Sequence, residues 1–134
     1  MVFDSAVLEL GRGILINLFM LLGFVALWVM GRAWLHRTQR QMTAWQMGVL
    51  CGLMAVFVML APSFTEAGFR FDSRTAVIGA GALLGGPLAA VVSLPLPVAY
   101  RIYLGNPGLA PGLLEIIFPA LYGSIAHVLV FRGK

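Results

Sequence analysis

Charge is what this chain has least of. Nine Lys and Arg and five Asp and Glu make up 10% of 134 residues, against 60% hydrophobic content. A soluble globule carries about a quarter of its residues as charge, so that class is excluded. The net charge of +4 is small and scattered, which excludes a nucleic-acid footprint as well. Cysteine is equally scarce. Cys51 stands alone, which rules out an intrachain disulfide and a cysteine metal site, and leaves it as a small packing residue. There is no HExxH, no GxSxG and no P-loop. The cluster GAGALLGG lacks the strand and downstream acid of a dinucleotide site and reads as helix packing. The chain alone is expected to catalyse nothing, with no metal and no cofactor. Asp4 and Glu9 precede the first apolar run where a basic region would stand, so a cleavable signal peptide is not expected.

What the chain has is long apolar stretches, of the length that crosses a hydrocarbon core of roughly 30 Å. Residues 11–30 read as a first membrane helix, followed by the acid-free basic run GRAWLHRTQRQ. A second helix covers 42–60 and ends at Pro62, which has no amide to continue the ladder. After the polar loop SFTEAGFRFDSR, only ten residues, 75–84, precede Gly85-Gly86-Pro87. At 1.5 Å per residue that is about half a bilayer. Either the helix turns at the GGP or it continues through a break; two glycines before a proline favour the turn. A fourth helix, 88–104, is interrupted by Pro95 and Pro97, and a fifth, 113–131, is kinkable at Pro119. The expected fold is an all-α integral membrane protein with about five transmembrane helices, in a single domain over residues 1–134.

Orientation follows from the basic residues. Arg32, Arg37, Arg40, Arg132 and Lys134 share one side of a five-crossing chain. Arg12, Arg70, Arg74, Arg101 and every acid lie on the other. By the positive-inside rule the N-terminus is outside and the C-terminus cytoplasmic. Arg37 and Arg40 stand where anionic headgroups are attracted. Trp28, Trp34, Trp45, Tyr100 and Tyr103 fall near helix ends, where aromatic belts form. Gly48 with Gly52, and Gly81 with Gly85, are small-xxx-small pairs that serve either internal packing or a homodimer seam.

The site candidates are the charges beside lipid-depth helices, which are expensive there and usually serve a cavity, a partner or a ligand. Asp72 and Arg74 precede the third helix. One account is a helix capped by Asp72 or Ser73 with a local Asp–Arg pair. The other makes Arg74 one wall of an outer polar pocket, Arg101 the opposite wall, and Glu115 a third member entering on the same side. An Arg101–Glu115 pair tying helix four to helix five is a structural alternative. Two arginines favour an anionic ligand, a carboxylate or phosphate, which Asp72 and Glu115 would oppose. His127 reads as a packed or interfacial histidine and His36 as a solvated one.

In order along the chain, FDSR, AGALLGGPL, AYRIYLGN and a glycine-bearing last helix resemble the LytS-type five-transmembrane receptor domain of bacterial sensors. The motifs span residues 62–123; the two earlier helices match by layout. The resemblance carries over Asp72, Arg74, Gly85, Gly86, Pro87, Arg101 and Gly105, while Asn106 stands where a second glycine is usual. It implies a sensory module in the bacterial inner membrane that relays a signal to a cytoplasmic output domain, a histidine kinase or a diguanylate cyclase. Cell-wall control is the role that named the family, and the chain is then expected to be the N-terminal part of a longer receptor. A different reading is a small-molecule-binding membrane subunit of a transporter, like the substrate-capturing component of an energy-coupling-factor system.

Overall fold

The computed structural model describes residues 2–38, 42–60, 63–64, 70–71, 73–105 and 108–132. Five helices dominate: α1 (Val2–Arg37), α2 (Ala44–Leu60), α3 (Arg74–Ser93), α4 (Pro95–Leu104) and α5 (Leu109–Phe131). Three of them, α1, α3 and α5, are long and apolar enough to cross a membrane, and α2 is apolar but shorter. Many large apolar side chains point outward, among them Leu8, Phe19, Phe57, Val91 and Leu129. Outward apolar faces over most of a helical surface are what lipid-facing helices require.

The first helix is longer than its apolar run. Its 36 residues extend about 54 Å, because neither flank holds a proline or a capped stop until Thr38. The polar loop after α2 carries a small antiparallel ladder. Strand β1 (Ser63–Phe64) pairs with β2 (Arg70–Phe71), with Ser63 opposite Phe71 and Phe64 opposite Arg70.

The decisive local feature is Gly86. Helical turns lie on both sides of it, residues 74–85 before and 87–93 after, so α3 is two limbs joined at the GGP. Gly86 itself has φ 78° and ψ −172°, a region open essentially to glycine alone. The helix there reverses direction. On α2, Met47 touches Gly85, Gly48 lies under Ala89 and Val92, Cys51 meets Gly81 and Gly52 meets Ser93. Residues 81 and 93 are thus held against adjacent positions of α2, which a straight or mildly bent helix could not do. The two limbs, residues 74–85 and 87–93, lie side by side. The first limb rises only about 18 Å, well short of a bilayer core.

The second limb continues into α4 across a bend at Leu94. Pro95 opens α4 as its first residue and Pro97 follows, so the expected proline interruption is a division between two helices. Pro97 has no amide to give the Ser93 carbonyl. That carbonyl instead lies against Gly52, where any Cβ would stand 2.9 Å from it. Gly105 ends α4 in the left-handed conformation, φ 56°, and its N–H donates to the Ile102 carbonyl, a glycine C-cap. α5 carries Pro119 within it.

Contacts set the helix directions. Gly79 meets Pro119, Gly123 meets Gly79, Ala82 and Leu83, and His127 meets Gly86. α5 therefore runs parallel to the first limb of α3. The core is built of small residues that let helices approach closely. One cluster joins Ala55, Ile78, Ala82, Ala90, Ile116 and Ala120. A second joins Phe24, Met47, Cys51, Val77 and Ala89, with Leu21 and Trp28 of α1 packed against it beside Phe24. Both glycine pairs, 48/52 and 81/85, pack inside the chain.

Candidate functional site

Arg74 opens the first limb of α3 and is buried, with its side chain only 2% exposed. Its Nη2 donates to Glu115 Oε2 in an ion pair that spans α3 and α5. Glu115 is 52% exposed, so the carboxylate is open from one side while the guanidinium is enclosed. The parallel packing of these two segments explains the meeting. Pairs 79/119 and 83/123 share one offset, and an offset one residue larger brings 74 to 115. The sequence left an Arg101–Glu115 pair as one alternative; the pair formed is Arg74–Glu115, which ties α5 to α3.

Arg101, on α4, is buried at 6% exposure. Its Nη2 donates to the Gly108 carbonyl at 2.7 Å. The guanidinium lies flat against Gly112, where a Cβ would overlap Nε and stand 2.7 Å from Cζ. Gly108 leaves room likewise, a Cβ there falling 3.2 Å from Nη2. Positions 108, 112 and 115 share one face of α5. The two arginines thus arrive from different limbs, by way of α3 and α4, onto successive turns of that face. Arg74, Arg101 and Glu115 are brought to one end of the bundle. Asp72 lies outside the described residues.

Ser73 occupies the N-cap of α3 but makes no side-chain cap bond. Its N–H donates to Asn17 Oδ1 at 3.2 Å and its hydroxyl approaches the same oxygen at 3.4 Å. Asn17 is buried on α1 and its Nδ2 donates to the Gly13 carbonyl at 3.1 Å. This residue was not among the sequence-level candidates. The available signal was a lone amide inside an apolar helix, a polar group that must find a partner at such depth. Gly108 and Gly112, which make room for Arg101, were missed as well.

At the opposite end, the Gly86 reversal is held by His127. Its Nδ1 lies 2.7 Å from the Leu83 carbonyl, so Nδ1 carries the hydrogen and donates. Its ring meets that of Phe131 in a tilted contact, with centroids 4.9 Å apart. His127 is a packed histidine, as expected. Among the described residues no group of three His, Cys, Asp or Glu is placed to hold a metal.

No curated protein and no solved structure matches this chain. A family model described as 5TMR of 5TMR-LYT does, over residues 27–133. The match takes in α2 to α5, with Arg74, the Gly85-Gly86-Pro87 reversal, Arg101, Gly105 and Glu115; it begins within α1, beyond Asn17. With more than half its length matched, the chain belongs to the 5TM-5TMR_LYT family, the five-transmembrane receptor domain of LytS-type sensors.

Proposed function

We propose that this chain is the sensory membrane module of a bacterial signal-transduction receptor. It perceives a small anionic ligand at the Arg74–Arg101 end of the bundle and relays it to a cytoplasmic output domain, a histidine kinase or a diguanylate cyclase. The supporting observation is the convergence of two buried guanidinium groups, from α3 and α4, on one face of α5. Guanidinium matches carboxylate and phosphate in planar, bidentate geometry. The half-exposed Glu115 carboxylate holds the place on Arg74 that a ligand anion would take. Exchange of one carboxylate for another loosens the tie between α3 and α5, and the two states differ in that contact. A ligand shifts an equilibrium only through such a difference. Asp72, two positions before Arg74 in the sequence, is a further candidate for the same ligand.

The Arg74 end faces outward and the C-terminus lies in the cytoplasm. This orientation draws on Arg32, Arg37 and Arg132, which gather at the opposite end with no acid near them in sequence. The test is a thermal-shift measurement on the protein in lipid nanodiscs, with acetate, succinate and inorganic phosphate as probes. At least one anion stabilises the wild type, and that gain disappears in Arg101→Ala, which leaves the Arg74–Glu115 pair in place. No shift with any probe, or an equal shift in Arg101→Ala, overturns the site.

A further inference from the structure

A cavity lies at the other end of the bundle, away from Arg74 and Arg101. It encloses about 450 Å³ between α1, α2, the reversal of α3 and the end of α5. That falls within the roughly 300–1,000 Å³ of small-ligand sites. Trp28, Arg32 and His36 line it from α1, spaced four residues apart and so stacked on one helix face. Met47, Leu84 and Phe131 contribute apolar wall from α2, α3 and α5. Among the described lining residues, the polar side chains all come from α1.

Charge at this end is of one sign. The five acids of the chain stand at positions 4, 9, 66, 72 and 115. None falls in the segments that bring Arg32, His36, Met47 or Phe131 to the cavity. Arg32 and His36 are both exposed, so their donors are reachable at the mouth. One helical turn apart, a guanidinium fork and an imidazole N–H can hold oxygens of a single phosphate. The apolar wall below them suits hydrocarbon. We propose that this cavity binds an anionic phospholipid, with its phosphate between Arg32 and His36 and an acyl chain along Met47, Leu84 and Phe131. The site is separate from the Arg74 end, since Gly85 and Arg74 are at opposite ends of a limb about 18 Å long.

A basic helix end attracts anionic lipid diffusely in any case, so the test compares arginines. The full chain in detergent is titrated with phosphatidylglycerol, phosphatidylcholine and glycerol 3-phosphate, and bound lipid is counted by native mass spectrometry. Phosphatidylglycerol is retained over phosphatidylcholine. Arg32→Gln lowers that retention about fivefold, the worth of one basic group at an anionic surface. Arg37→Gln, on the same turn region but outside the cavity lining, leaves it unchanged. Leu84→Trp, which fills the apolar wall and keeps every charge, lowers it too. Equal losses from Arg32→Gln and Arg37→Gln overturn the proposal in favour of diffuse attraction. Displacement of the lipid by glycerol 3-phosphate overturns it in favour of a site for free phosphate compounds.

Discussion

Arg74 and Glu115 are 41 positions apart and meet in an ion pair, one enclosed between helices and the other half open. Removing Glu115 leaves a charged guanidinium without that counterion at membrane depth. Glu115→Ala is expected to destabilise the fold by roughly 1–3 kcal/mol, between the exposed and fully buried cases. Arg74→Met combined with Glu115→Leu restores part of the loss, because no lone charge remains. Unfolding in mixed micelles, analysed as a double-mutant cycle, reads the coupling; strictly additive single losses would show that the pair contributes nothing.

Glycine substitutions separate packing from ligand recognition. A Cβ at Gly52 meets the Ser93 carbonyl at 2.9 Å, whereas one at Gly79 meets Pro119 at an ordinary 3.6 Å. Gly52→Ala therefore forces α2 away from α3 at a cost of about 1–3 kcal/mol. Gly79→Ala is neutral or gains up to about 1 kcal/mol from helix propensity. Melting temperatures of the two variants check the ordering.

Gly112→Ala acts on a side chain instead of a backbone. Its methyl overlaps the Arg101 guanidinium, which is long enough to swing aside. The variant is expected to melt near the wild-type temperature and to lose the anion-dependent shift as fully as Arg101→Ala does. A retained shift would mean that the pose of Arg101 on α5 is not the one that meets ligand.

Asn17→Ala removes the acceptor that α1 offers to Ser73. Interhelical hydrogen bonds in membranes are worth about 0.6–1.7 kcal/mol, so a loss of that size is expected. The sharper readout is cysteine cross-linking between α1 and α3 near Asn17 and Ser73, whose yield falls as α1 detaches.

The reversal at Gly86 was legible because its cause is local: two glycines and a proline supply a positive φ and a missing donor within three residues. The division before α4 was legible for the same reason, through Pro95. The pairing of Glu115 was not. Arg101 is nearer in sequence, but the choice depends on the register between α3 and α5, which is set by Gly79, Gly123 and Pro119 fitting one another. Asn17 escaped notice because its partner is a main-chain amide 56 positions away, and an amide leaves no mark in a sequence. The length of α1 was underestimated because hydropathy marks where lipid ends, not where the helical hydrogen-bond ladder ends.

The placement of α5 has a mechanical consequence. Near its start it is pinned by Arg101 and Arg74, and near its finish His127 fastens it to the Leu83 carbonyl beside the Gly86 reversal. A rod riveted at both ends to the same hairpin cannot slide along its axis by one residue, about 1.5 Å, without undoing both fastenings together. It can still roll or tilt about the row of small residues between them, Pro119, Ala120 and Gly123, where among the described residues no polar bond joins it to α3. Movement of this helix is thereby channelled into rotation, and piston-like travel is the motion the architecture resists.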